Sequence, residues 1–199
     1  MTTNILERLR NDSAPYHDRV EANPYASAIM DGTIELNAYK YYLEMFYGFV
    51  VPLERRAEAS QALSESGYDL QDRRKTPMLE KDLIALGTSE EEFGEIPLCT
   101  ALPDISTPEK LLGCFYVIEG STMGGQMITK KLSRTLPIST ESGLAYFNAY
   151  GEESRTRWGA FRERLLEAGQ SEESCEEITQ SAIETFRLLE RWFEERVRP

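Results

Sequence analysis

The chain has a single histidine, three cysteines and no apolar run near the ~18 residues that a membrane span needs. One histidine cannot supply the paired Glu-x-x-His sets of a di-iron helical bundle. Cys99, Cys114 and Cys175 form no Cys-x-x-Cys pair and are odd in number, which argues against a disulfide frame or zinc site and predicts buried free thiols. There is no Gly-x-Ser-x-Gly elbow, P-loop, Asn-Gly hairpin signal, internal repeat or low-complexity tract. The N-terminal MTTNILERLRND lacks the apolar stretch of a signal peptide, so a cytoplasmic protein with no membrane attachment is expected. Positive charge is also scarce, with 22 Lys and Arg against 34 Asp and Glu and a net charge of −12. Such a surface repels phosphate backbones and anionic membranes, which disfavours a nucleic-acid partner.

What the sequence does have is helical periodicity. Its 199 residues, 41% hydrophobic and 28% charged, suit one domain over 1–199, and the pattern predicts an all-α bundle. A first helical region covers 4–22, interrupted by Pro15, with Asp12 or Ser13 available to recap the second segment. Asp31-Gly32 marks a break and Thr33 caps a long helix through Leu36, Leu43, Phe46 and Leu53, with a kink expected at Pro52. Thr76-Pro77 opens a short helix to about Leu86, and residues 88–106 form a loop. Thr107-Pro108-Glu109 opens a helix reaching about Leu136. Further helices are expected over 141–150, 153–168 and 172–197.

The helix from Thr107 contains an anomaly. Gly120, Gly124 and Gly125 lie in its middle, where each glycine costs about 0.8–1 kcal/mol relative to alanine. Gly120 and Gly124 are four apart and share a face with no side chains. That bare face suits either close helix packing or a flat ligand lying across the backbone, with the Ser121 hydroxyl beside it. His17 is the second feature. Glu21 lies one turn on and can accept its Nδ1–H, turning Nε2 towards a metal. Arg10, two turns before His17, can pair with a carboxylate at the rim of a pocket. A surface His–Glu pair and a solvated arginine are the plain alternatives.

The segments LRNDSAPYHDRVE at 9–21, YVIEGSTMGGQ at 116–126 and FRERL at 161–165, with the helix that follows, resemble the heme oxygenases. The resemblance is to the soluble bacterial branch found alongside bacteriophytochromes, and it covers nearly the whole chain. It implies a heme oxygenase-like bundle with His17 as axial ligand of the heme iron and Glu21 behind it. Arg10 and Arg162 would hold the propionates, Phe115 and Phe186 would contact the ring, and Gly120, Ser121, Gly124 and Gly125 would cross its other face. Heme would be both substrate and cofactor, opened by O2 to biliverdin with release of iron and carbon monoxide. The implied partners are an external electron donor of the ferredoxin or flavin reductase type and a bacteriophytochrome that accepts biliverdin.

Three positions depart from the animal enzymes. Ser121 stands where they carry a distal aspartate, Phe115 at a propionate-contacting tyrosine and Trp158 at a lysine. These bear on rate and on which meso carbon is attacked. Ser121 also leaves open a carrier or sensor that binds heme without turnover. A related scaffold acting on another small molecule, with Cys114 as the thiol near the glycines, is the third reading.

Overall fold

The computed structural model describes residues 4–197, and its described residues are helical with no paired strands, only isolated bridges from Ser139 to Ser142 and Gly143. The chain order is α1 (Ile5–Glu21), α2 (Pro24–Asp31), α3 (Leu36–Glu58), α4 (Gln61–Ser66), α5 (Leu70–Arg73), α6 (Thr76–Ala85) and α7 (Glu90–Glu95). It continues through α8 (Pro108–Thr135), α9 (Ala145–Asn148), a 3-10 turn at Gly151–Glu153, α10 (Ser154–Ala168) and α11 (Glu172–Glu194). All three cysteines are free and buried, and no helix is long and apolar enough to cross a membrane.

The helix α11 organises the bundle. The arginines of α1 clamp its exposed edge, Arg8 to Glu172 and Glu176 and Arg19 to Glu190 at 3.1 Å. On its other side α8 crosses at close range. A methyl group on Gly113 would collide with the Ile178 carbonyl, and Ser181 Oγ donates to the Lys110 carbonyl at 2.6 Å. Thus α1 and α8 both rest on α11 and make few contacts with each other, from which we infer a groove between them. Behind it, Phe46 of α3 packs on Tyr146, Phe147 and Phe193 with ring centroids 5.0–5.8 Å apart.

Several local expectations give way to tertiary context. Pro15 does not interrupt α1, which runs unbroken. The carbonyl that Pro15 leaves without a partner is that of exposed Asn11, where water serves, and Ser13 bonds back to Leu9 O at 2.7 Å instead of capping. Asn23-Pro24 opens α2, a cap-proline pair that hydrophobic periodicity over eight residues cannot announce. Thr33 does not cap α3. Its hydroxyl turns back to Ala28 O at 3.4 Å, and Glu35 precedes the helix without a side-chain cap. Pro52 lies inside a continuous α3. Thr76 is already helical, and buried Glu54 replaces its cap by accepting from the amides of Lys75 at 2.6 Å and Thr76 at 3.3 Å. The loop over 88–106 contains α7, held by a capping box between Ser89 and Glu92. The helix expected over 141–150 shrinks to α9, because Gly143 takes a left-handed turn at φ 95°. Thr107 caps α8 as expected, accepting from Lys110 N at 3.2 Å.

Candidate functional site

His17 stands on the groove side of α1, its side chain half exposed, with its ring edge-on to buried Phe186 of α11 at 5.8 Å. Nε2 is 3.4 Å from Glu21 Oε1 and Nδ1 is 3.7 Å from Asp18 Oδ1. This reverses the expected pairing, in which Nδ1 faces Glu21. Both ring nitrogens thus face a carboxylate, and the exposed ring must rotate to present one of them to a metal. Among the described residues no three metal-ligating side chains come together. A lone histidine therefore suits a metal that brings most of its own ligands.

On the facing wall, Tyr116, Gly120 and Gly124 follow one another at four-residue spacing along α8. Tyr116 marks where this line meets the rest of the molecule. Burial pushes its phenol up, while Ser13, Arg10 and Arg162 pull it back, so α1 and α10 converge on it. Arg10 and Arg162 are both exposed, and among the described residues neither is taken up in an ion pair. In a chain of net charge −12, two free guanidiniums at one end of a groove are suited to carboxylates on a ligand.

Beyond Tyr116 the wall is bare. A methyl group on Gly120 would meet only Trp158, at 3.7 Å, and one on Gly124 would meet nothing within 4 Å. Among the described residues nothing occupies the space at Gly124, so close packing does not account for that glycine, whereas Gly120 lies within contact distance of Trp158 on α10. Gly125 is different. A methyl there would fall on the carbonyl oxygen of Phe147, which makes it the point at which α9 docks against α8. Ser121 is exposed, and its hydroxyl donates to Ile118 O at 2.7 Å. Phe186 lies beneath His17, whereas Phe115 is 1% exposed and stacks on Tyr68 at 4.6 Å in the core. Phe115 thus faces away from the groove, and Tyr116 is the aromatic that meets the two arginines.

Sequence reading also missed what lies behind the glycines. Glu119, 1% exposed, accepts from Lys75 Nζ at 2.7 Å, Tyr150 OH at 2.9 Å, Tyr68 OH at 3.1 Å and Arg73 Nη1 at 2.6 Å. Burial opposes its ionisation, but Lys75 and Arg73 outweigh that and hold the carboxyl below its ordinary value. The residue before Gly120 is thereby fixed to Arg73 at the end of α5 and to Lys75 just before α6. Cys114 is fully buried, and burial pushes its thiol up to about 12, which removes it as a nucleophile.

The family model for heme oxygenase matches residues 3–195. A heme oxygenase from Xanthomonas campestris is 30% identical over 146 residues, covering 72% of this chain and 81% of the relative. The fold superposes on the heme oxygenase of Leptospira interrogans with a TM-score of 0.80, at 21% identity, covering 97% of this chain and all of the other. The NO- and CO-bound heme oxygenase of Neisseria meningitidis gives 0.79 at 21% identity, over 98% of this chain and 92% of its own. Heme oxygenase-1 of Synechocystis in complex with heme gives 0.76 at 19% identity, over 97% and 92%. With a family match over nearly its full length, this chain belongs to the heme oxygenases, a family of heme-degrading enzymes.

Proposed function

We propose that the protein opens heme oxidatively to biliverdin, iron and carbon monoxide, using O2 and electrons from an external donor of the ferredoxin or flavin reductase type. The observation that carries this reading is the exposed face at Gly120 and Gly124. Two mid-helix glycines together forgo roughly 2 kcal/mol of helix propensity; among the described residues nothing lies within 4 Å of a methyl group placed on Gly124, and only Trp158 comes that near to one on Gly120. A flat ligand in the groove uses that space directly.

The chain's residues divide the work by position. His17 would supply a nitrogen ligand to the heme iron, and a carboxylate, Glu21 or Asp18, left on its other nitrogen would make the imidazole a stronger donor. Phe186 fixes the tilt of that ring from below. Arg10 and Arg162 hold the propionates at the rim near Tyr116 and set the rotation of the macrocycle in its plane. Phe115 and Trp158 offer no charge to the propionates, so these two arginines carry the rotational setting. Gly120 and Gly124 let the α8 backbone lie close over the ring. This crowds the distal side, limits the water there and leaves Ser121 as a polar side chain on that wall. Heme supplies the redox chemistry through its iron.

Hemin titration followed by ascorbate in air tests the proposal. The expected result is a saturating Soret band that gives way to biliverdin absorption, with His17→Ala binding heme more weakly and losing the axial-ligand spectrum. A band that persists under reductant and air would instead indicate a carrier or sensor. A His17→Ala spectrum identical to that of the parent would show that the ligand is misassigned.

A further inference from the structure

At the level of His17, α1 meets α11 through residues paired one to one. His17 rests edge-on against Phe186 at 5.8 Å. One residue away on each helix, Arg187 Nη2 donates to Tyr16 OH at 2.8 Å, and its guanidinium lies over the Tyr16 ring, 4.8 Å from the centroid. One turn further along, Arg19 reaches Glu190 at 3.1 Å and brings a second guanidinium to 4.6 Å from the same ring. The ion pairs that Arg8 makes with α11 lie more than two turns away from His17. Arg187 is in no ion pair among the described residues, although the chain carries 34 acidic residues against 22 basic ones. Its planar fork instead meets the phenol twice, at the ring and at the hydroxyl, which holds the side chain more closely than a point charge would. Sequence reading singled out neither Tyr16 nor Arg187.

We propose that Tyr16 and Arg187 are positioning residues for the histidine ligand, their hydrogen bond locking the turn of α1 that carries His17 onto the turn of α11 that carries Phe186. The inference rests on the heme reading above. Because α8 also packs on α11, the same lock sets where His17 stands relative to the Gly120–Gly124 face. Among the described residues no three metal-ligating side chains come together, so His17 has no set of companions to correct its reach. Its exposed ring has only an edge contact to hold it, and a drift of about 0.5 Å in the supporting backbone is enough to lose a productive ligand geometry. Tyr16→Phe removes the acceptor and keeps the ring. Arg187→Met removes the donor and keeps an apolar stem.

The test reads the iron–histidine stretch of the reduced, heme-loaded protein by resonance Raman spectroscopy, beside hemin titrations and thermal melts. Tyr16 is half-buried and Arg187 exposed, so both variants keep a melting temperature near that of the parent. In each, the iron–histidine band moves to lower frequency and the hemin dissociation constant rises roughly three- to tenfold, the equivalent of one hydrogen bond. The double variant adds nothing further. Arg187→Lys, which can still donate to the phenol, recovers most of the parent band. In His17→Ala with imidazole supplied in solution, the ligand is no longer attached to α1, so Arg187→Met shifts nothing more. An unchanged band in both single variants overturns the proposal, as does an equal shift in the imidazole-rescued background. A melting temperature that falls while the band stays in place assigns the pair to stability alone and overturns it too. A parent protein that binds no hemin, or shows no iron–histidine band, refutes the heme reading and this proposal with it, a result distinct from a failure confined to the variants.

Discussion

At the residue scale the three glycines at 120, 124 and 125 separate into two kinds. Gly124 has open space above it and Gly125 has a carbonyl. Gly124→Ala is therefore expected to raise thermal stability by up to about 0.8–1 kcal/mol through helix propensity, while weakening heme binding and slowing turnover. Gly125→Ala is expected to destabilise, because the Phe147 backbone must shift to admit the methyl group. Thermal melts beside Soret titrations check both. A Gly124→Ala variant that lost stability would mean that the glycine serves the fold and not a ligand. These opposite signs were not legible in the sequence, where both glycines read as one bare stretch. The spacing gave their shared location, but only the neighbours distinguish them. Sequence reading singled out His17 and Arg10 from their own chemistry and Arg162 from the resemblance, whereas Tyr116 could not be named because it depends on contacts with residues distant in sequence.

At the scale of elements, the long helices were legible and the short ones were not. The helices α8 and α11 repeat their apolar pattern over six or more turns, and Thr107-Pro108 announces the first of them. By contrast α2, α4, α5 and α7 span eight residues or fewer, so their caps carry more information than their periodicity. Pro15 misled because its cost depends on whether water reaches the orphaned carbonyl.

The least legible element-level feature is the tie at Glu119, which joins α8 to the loop before α6 immediately behind Gly120. Glu119→Gln leaves Lys75, 1% exposed, with an uncompensated charge and is expected to cost about 3–5 kcal/mol. Pairing Lys75→Met with Glu119→Leu should cost at least about 1 kcal/mol less than the sum of the two single losses. Glu119 is held below its ordinary value of 4.5, so its contribution is complete above that pH and is lost as pH falls through its lower folded value. Urea titrations at descending pH should show a shallower acid limb for Glu119→Gln than for the parent. An acid limb of unchanged steepness would mean that the carboxylate is not held ionised by its cationic neighbours.

At the scale of the whole molecule, the bundle places one long helix, α11, beneath two others that scarcely touch. His17 on α1, the Arg10 and Arg162 side chains, which form no ion pair among the described residues, and the Gly120–Gly124 face of α8 come from three different helices. None of these features is decisive alone. A surface histidine is common, free arginines are common, and glycines can serve packing. The fold adds that Arg10 and Arg162 meet at Tyr116 and that His17 sits against Phe186 of α11, the helix on which α8 also packs. The net charge of −12 does not exclude local positive charge, and Arg10 and Arg162 supply it beside Tyr116.

The central claim is that this groove opens the heme ring. The most direct measurement is the carbon monoxide released when heme-loaded protein is reduced by ascorbate in air, counted against the heme consumed and the pigment formed. The account predicts one carbon monoxide and one biliverdin for each heme lost. Heme that persists, or that bleaches without releasing carbon monoxide, would contradict it.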